Sequence, residues 1–402
     1  MSPEEKLELL RRFAPRLHFD ALERWRPGLV DDYLQHSIVL DGEDLPFPET
    51  PPAEPTMSEH GGEIKARLDP LNNGSGVNTQ LRSNEMLSAY GHDQDLATAG
   101  TAYGRVVPDE SGLYLQYWLF YPDNPCVLPP GRHDGDWEFV QVHLERGGSD
   151  FQPTHLTLAE HGKPVSKPIE STAGGIDVFV AVDSHACYFK AGANPIIPLS
   201  DVCEPAGAPG VAPKVVLLPI EATKKDWAHW EGRWGMDRGP GTWLALKLHL
   251  KRTPFFLRPL NKVGAGESPP SPGHQGLSWS SPSAFAAGGT ARRRSAKLLQ
   301  RLAHLLGRLT WPDKSPQVSV TPVPGEQSTY TVAAESTGRG LRRVTLVAVA
   351  FWEQRPDGTR RALALHTVRP GRAERFEIAH EGELVWYAAG YNALRQRGEP
   401  VQ

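Results

Sequence analysis

The feature that most constrains this chain is a succession of short apolar and aromatic runs that alternate with period two and stop at proline, glycine or asparagine. LYLQYWLFY (113–121) ends in the turn PDNP. WEFVQVHL (137–144) sets Glu138, Val140, Val142 and Leu144 on one face and Trp137, Phe139, Gln141 and His143 on the other. THLTLAEHG (154–162), DVFVAVDSHACYF (177–189), KVVLLPI (214–220) and TWLALKLHL (242–250) continue the series without helical patterns between them. Runs of this kind, joined by turns, predict a mainly β protein built on an antiparallel β-sandwich. Composition agrees, because Gly (39) and Pro (37) make up nearly one residue in five of the 402, and 11 Trp supply aromatic packing.

Flanking elements complete the expected organisation. Residues 1–34 read as short N-terminal helices, one carrying Leu7, Leu9 and Leu10 and another in the amphipathic stretch ALERWRPGLVDDYL. Residues 41–100, rich in Pro, Gly, Asn and Asp, read as irregular surface. The expected division is a β-sandwich domain over 1–258, a Pro/Ser/Gly linker with a basic amphipathic helix over 259–315, and a small domain over 316–402. In the last, VSVTPV, STYTVAAES, RRVTLVAVAFWE, RALALHTV, ERFEIAH and ELVWYAAGYNAL are strand candidates that suit an immunoglobulin-like or fibronectin-like sandwich. In the linker helix (291–311), Leu298, Leu302, Leu305 and Leu309 form a stripe among six basic residues and no acidic one. Such a helix could lie at a membrane interface or pack between the domains with its arginines in water. Its position between domains favours packing.

Several function classes fall away. No apolar run reaches the roughly 18 residues of a membrane span, and the N-terminus lacks the apolar core and cleavage site of a signal peptide. A cytoplasmic protein, with at most peripheral membrane contact, is expected. Cys126, Cys187 and Cys203 are an odd number without CxxC spacing, so neither a disulfide framework nor a zinc ribbon is indicated. With 43 basic and 47 acidic residues the net charge is −4, which removes any global case for nucleic-acid binding. Oligomeric state is not legible.

The densest chemical constellation is GRHDGDWE (131–138). Positions i and i+2 of a strand share a face, so Asp136 and Glu138 present two carboxylates side by side, with His133 on the incoming loop. Asp123, in the turn after the preceding strand, closes the set if those strands pair. Two carboxylates and an imidazole suit a divalent cation; oxygen-dominated ligation favours Ca²⁺ or Mg²⁺, with Mn²⁺ and Zn²⁺ as alternatives. The competing reading is a plain Asp134–Gly135 turn with Glu138 paired to an arginine.

The spacing His133-x-x-Asp136-x-Glu138 resembles the metal-binding heptapeptide of the necrosis- and ethylene-inducing-like cytolysins, and Pro122-Asp123 resembles the Pro-x-Asp turn that supplies another ligand there. Gly135 stands where those proteins carry His. A longer resemblance, over residues 13 to about 290, is to the vacuolar-protein-sorting-62 family. It rests on FAPRLHFDALERWRPGLVDDYL, YWLFYPDNP, HDGDWEFVQVHL, AEHG, VFVAVDSHACYFKAG, EGRWG and SPPSPGHQGLSWSSP, in that order. It implies a β-sandwich with a metal site and no agreed activity.

Two histidines within these landmarks, His161 and His185, are candidates for outer ligands or for a general base on metal-bound water; the bland alternative for each is a buried, backbone-bonded ring. Trp230, Arg233 and Trp234 in WAHWEGRWG could stack a sugar or clamp an anionic head group, or simply pack as a Trp-rich corner. Three functions follow in order: a cation-dependent binder of anionic lipid or glycan head groups, a metal-dependent hydrolase of phosphate or glycosidic esters, and a non-catalytic scaffold.

Overall fold

A computed structural model describes residues 1–20, 22–35, 38–41, 66–69, 99–110, 112–124, 133–148, 150–170, 175–196, 199–203, 210–218, 227–229, 233–235, 268–288, 312, 315–356, 360–392 and 401. Helix α1 (Pro3–Arg12) starts at a capping box in which Ser2 and Glu5 bond each other's backbone, with Pro3 in its first turn. Strand β1 (Arg16–Phe19), helix α2 (Val30–Gln35) and the ribbon β2 (Ile38–Asp41)–β3 (Ala66–Asp69) follow. The main sheet takes β4 (Thr101–Asp109), β5 (Gly112–Asn124), β6 (His133–Gly147), β7 (Asp150–Glu160) and β8 (Lys163–Pro168) in antiparallel order. A further strand, β13 (Lys214–Leu217), lies parallel to β4 at its edge. Between β8 and β13 come β9 (Asp177–Val180) and β10 (Cys187–Tyr188), which form a small sheet with β1, and the ribbon β11 (Gly192–Ile196)–β12 (Leu199–Cys203). The fold is mainly β with few, short helices, as the period-two runs require. Two pairings, β1 with β9 and β13 with β4, are parallel rather than antiparallel.

Strands β5 and β6 are buried on both faces along most of their length. On one face Tyr117 donates its hydroxyl to the Leu10 carbonyl of α1 (2.9 Å). On the other, Gln116 and Gln141 bond each other (3.0 Å) and donate to the carbonyls of Ser278 (2.7 Å) and Pro282 (3.2 Å). Those acceptors belong to segment 268–288, which holds helix α3 (Leu277–Ser280) and a further turn of helix at 282–288. Composition alone marks this stretch as linker, yet Ser268, Ser271 and Phe285 are buried and Trp279 lies under the Arg105 guanidinium (3.9 Å). Its small residues and prolines suit close packing on a sheet as well as they suit a loose connection.

Two other segments differ from expectation for local reasons. Residues 22–27 (LERWRP) are continuously buried and non-helical; Pro27 and Gly28 delay the helix to Val30, and Glu23, Arg24 and Arg26 are interior groups rather than a solvent face. DVFVAVDSHACYF is broken at Val182–Ser184 by a turn, in which Asp183 (φ 67°) adopts the left-handed conformation that also appears at His185 (φ 53°). The expected strand 242–250, the basic helix 291–311, Trp230 and Cys126 lie outside the described residues. Cys187 and Cys203 are both buried. No described helix is long and apolar enough to cross a membrane.

All six strand candidates of the C-terminal region are strands. They form two three-stranded antiparallel sheets: β14 (Gln317–Pro322), β15 (Thr329–Glu335) and β18 (Ala373–Glu377) in one, and β16 (Val344–Gln354), β17 (Arg360–Val368) and β19 (Glu383–Asn392) in the other. The central strand β16 explains its own uninterrupted apolar run. Val347, Val349 and Phe351 enter the core between these two sheets, while Ala348, Ala350 and Trp352 join the large apolar cluster that includes the main sheet.

His366 on β17 stacks on Phe376 (4.0 Å). Burial, with a smaller contribution from the Arg24 charge, pulls its pKa down to about 4. A neutral buried imidazole contributes stability that is complete above pH 6.5 and is lost as pH falls through about 4. Denaturant titrations between pH 7 and pH 4 are expected to show His366→Phe losing less stability than wild type, by roughly 3 kcal/mol. Parallel losses would show that His366 does not carry this acid sensitivity.

Candidate functional site

The site is built where β5 leaves the sheet and β6 enters it. The ladder sets Leu119 opposite Glu138, Tyr121 opposite Asp136, Asp123 opposite Asp134 and Asn124 opposite His133. All eight are buried. Glycine makes this junction possible. Gly135 has φ 65°, and a Cβ there would sit 1.8 Å from the Trp234 carbonyl oxygen; a Cβ on Gly235 would sit 1.7 Å from the Asp134 carbonyl oxygen. Trp234–Gly235 and Asp134–Gly135 therefore press backbone against backbone, and no side chain fits at 135.

His133 is held in one tautomer. Its Nδ1 lies 2.7 Å from the Gly135 carbonyl, an acceptor only, so Nδ1 carries the proton and Nε2 keeps its lone pair. The Asn124 amide donates to that Nε2 (3.3 Å) and to Asp136 Oδ2 (3.2 Å), and so stands between them. Asp136 Oδ2 also accepts from His185 Nδ1 (3.0 Å). His185, fully buried, stacks face to face on Tyr121 at 3.9 Å, with its Nε2 3.5 Å from Glu23 Oε1. Glu23 in turn accepts the backbone N–H groups of Trp25 (2.7 Å) and Asp183 (2.8 Å), which anchors the left-handed turn.

Charge is unevenly matched here. Burial opposes protonation of His185, but the Glu23 charge and hydrogen bonds to Asp136 and Glu23 prevail and push its pKa up to about 10, so the ring is an imidazolium. Burial and the adjacent Asp136 push the Glu138 carboxyl well above the usual carboxylate range. The His185 charge acts on Glu138 in the opposite sense and is outweighed. No three of Asp123, His133, Asp136 and Glu138 offer ligand atoms all within 4.8 Å of one another. The Asn124 amide fills the space between two of them.

His161 belongs to an adjoining cluster. It ends β7 in a turn (φ 51°), partly exposed, with Nε2 2.7 Å from Asp201 Oδ2, which also accepts the Tyr188 hydroxyl at 2.7 Å. Burial lowers its pKa, but the bond to Asp201 and the charge of that carboxylate more than offset this, and the net shift is upward. Trp234 corrects an expectation. It is fully buried, donates Nε1–H to Ser271 (2.8 Å), and meets Phe120, Trp137 and Trp227 edge to face, so no face is free for a sugar. Arg233 donates to the Ser268 carbonyl (3.0 Å). Glu23, Asn124 and Asp201 are contributors that spacing could not reveal. So is a group at the far end of β6, His143, Glu145 and His155, whose ligand atoms all lie within 4.8 Å of one another.

No family model matches the chain, and no curated protein sequence matches it. Its fold neighbours among solved structures are necrosis- and ethylene-inducing-like proteins. NLPPya in complex with glucosamine is 12% identical with a TM-score of 0.30, over 56% of this chain and 79% of that one. A non-toxic HaNLP3 protein is 13% identical with a TM-score of 0.26, over 54% and 75%. Necrosis and Ethylene inducing Protein 2 from the causal agent of cocoa's Witches Broom disease is 15% identical with a TM-score of 0.27, over 53% and 74%. Superpositions this loose transfer no residue roles.

Gly135→Ala is expected to cost on the order of 3 kcal/mol or more, because it combines a left-handed backbone with a clash against a carbonyl oxygen. Gly148→Ala, also at positive φ but with open space around it, is expected to cost only about 1 kcal/mol. Chemical denaturation of both measures the difference, and equal losses would refute the backbone-contact account.

Proposed function

We propose that this chain is a divalent-cation-binding β-sandwich protein, with His133, Asp136 and Glu138 as ligands and Asp123 and Asn124 beside them. In this reading the cation recognises an anionic lipid or glycan head group. The observation that carries it is the charge imbalance of a buried pair: Asp136 and Glu138 lie side by side, His185 bonds the first, and at the second the His185 charge does not offset burial and the adjacent Asp136. A buried carboxylate without a partner is costly and protonates unless a cation compensates it. The fixed tautomer of His133 supports the same reading, since a ring held by Nδ1–H to a carbonyl offers Nε2 as a ligand. The Asn124 amide donates into the position between His133 and Asp136, where a cation would supply stronger positive charge; turning that amide over presents its oxygen. An oxygen-rich set of this kind suits Ca²⁺ or Mg²⁺, with Mn²⁺ and Zn²⁺ as alternatives. When bound, the ion would supply a Lewis-acidic point for phosphate, carboxylate or sugar hydroxyl oxygens.

The same reading takes residues 1–258 as the main β domain and 316–402 as a second β unit packed against it, with 259–315 between them in sequence, and the basic, leucine-striped 291–311 as an aid to peripheral membrane contact. The ordered landmarks over residues 13 to about 290 support placing the chain beside the vacuolar-protein-sorting-62 family. A hydrolytic reading draws on one observation: His161 is partly exposed and held by Asp201, with a raised pKa that suits a proton donor.

Thermal melting and metal analysis of tag-free protein test the main reading. Wild type is expected to carry Ca²⁺, Mg²⁺ or Mn²⁺ stoichiometrically and to gain about 2.7 kcal/mol of stability at a hundredfold excess over Kd. Asp136→Asn/Glu138→Gln is expected to lose both effects, whereas Glu138→Gln alone, which keeps the Asp136–His185 pair, is expected to be at least as stable as wild type in chelator because the buried repulsion is gone. Binding to phosphatidylserine vesicles or a glycan array should then vanish with chelator and in the double variant. A protein that cannot be loaded, or ligand binding that persists in chelator, would overturn the proposal.

A further inference from the structure

A second group of ligating side chains lies on the opposite face of β6 from Asp136 and Glu138, and roughly 17 Å along the strand from Glu138. His143 and His155 stand directly opposite each other across the β6–β7 ladder, and Glu145 follows His143 at i+2 on the same face. Immediately beyond this pair the register shifts. Leu144 pairs with Pro153, so Thr154 is an extra residue in β7, a bulge.

The bulge turns the Thr154 hydroxyl into the middle of the three side chains. Its Oγ1 lies 3.1 Å from His143 Nδ1, 3.3 Å from His155 Nδ1 and 3.3 Å from Glu145 Oε1. A hydroxyl has one hydrogen to donate, so it cannot serve an unprotonated His143 Nδ1 and the carboxylate at once. The Tyr114 ring stacks on His143 at 4.5 Å and fixes the imidazole plane. His143 Nδ1 and Glu145 Oε1 are already 3.7 Å apart, near the ~3.3 Å separation of two ligands around a tetrahedral zinc ion. Glu145 is half exposed, so the group opens to solvent.

We propose that His143, His155 and Glu145 form a second metal site, for a transition ion of the Zn²⁺ or Co²⁺ class, with the Thr154 hydroxyl holding its centre in the metal-free state. Two imidazole nitrogens and one carboxylate select a borderline ion over Ca²⁺ or Mg²⁺. Three protein ligands leave a fourth position for water, for the threonine oxygen or for an outside group. This site shares no residue with the His133–Asp136–Glu138 cluster and does not depend on the function proposed there.

Co²⁺ titration of the chelator-stripped full chain tests it, read by visible ligand-field bands and confirmed by Zn²⁺ displacement. One tetrahedral Co²⁺ is expected, resistant to a large excess of Ca²⁺. His155→Ala is expected to abolish the spectrum, and Glu145→Gln to weaken binding at least tenfold. Both side chains are solvent-accessible, and circular dichroism of each variant reports whether the fold is kept. Thr154→Ala, which empties the centre, is expected to bind at least as tightly as wild type. Asp136→Asn/Glu138→Gln should leave the spectrum unchanged. Absence of a tetrahedral spectrum, binding unaffected by His155→Ala in folded protein, or a spectrum lost only in the strand-mouth variant would each overturn the proposal.

Discussion

The pairing of β5 with β6 sets the position of nearly everything of chemical interest in this molecule. Its register runs unbroken from Gly112 opposite Glu145 to Tyr121 opposite Asp136, then on to Asn124 opposite His133. A slip of one residue would move Asp136 and Glu138 to the other face and separate Tyr121 from His185. Two apolar faces hold that register. One is covered by α1 and the small β1–β9–β10 sheet, and the other by the packed segment 268–288. Even the polar exception, the Gln116–Gln141 pair, reinforces the register, since its amides meet carbonyls of that segment only when the two glutamines are opposite.

Against this frame the buried charges form a chain of dependence. Glu23 sits in an extended segment, receives two backbone N–H groups and faces His185; His185 reaches Asp136; and Asp136 meets Asn124. Interior ions are costly to desolvate, and removing one member leaves the next uncompensated. The left-handed residues Asp183 and His185 occur where that chain crosses a turn, and the Asp183 N–H is bonded by Glu23. Backbone strain and charge are thus concentrated beside the proposed ligands.

Much of this was legible in residue order. Period-two runs identified β5, β6, β7 and β13 of the main sheet, though not β4 or β8, and all six C-terminal strands, and the i, i+2 rule joined Asp136 to Glu138, which act on one another. What remained hidden came from distant parts of the chain. Glu23, about 110 residues before Asp136, enters through a segment whose charges resemble a solvent-facing helix in sequence and are interior in space. Trp234 reads as a packed Trp-rich corner or as a ligand platform, and its neighbours decide for core. The 268–288 segment looks like a linker because proline and serine mark flexibility and tight packing alike. The bulge at Thr154, which brings His143, His155 and Glu145 to one point, has no signature in a run as regular as THLTLAEHG.

The two-sided burial of β16 has a consequence for how the chain can be divided. Because one strand lends Val347, Val349 and Phe351 to one core and Ala348, Ala350 and Trp352 to another, neither core is complete without it. The C-terminal sheets therefore act less as a pendant module than as the far wall of the main body. Cutting the polypeptide ahead of residue 316 would lay bare an apolar strip on each fragment, two surfaces that match one another and would draw the halves back together.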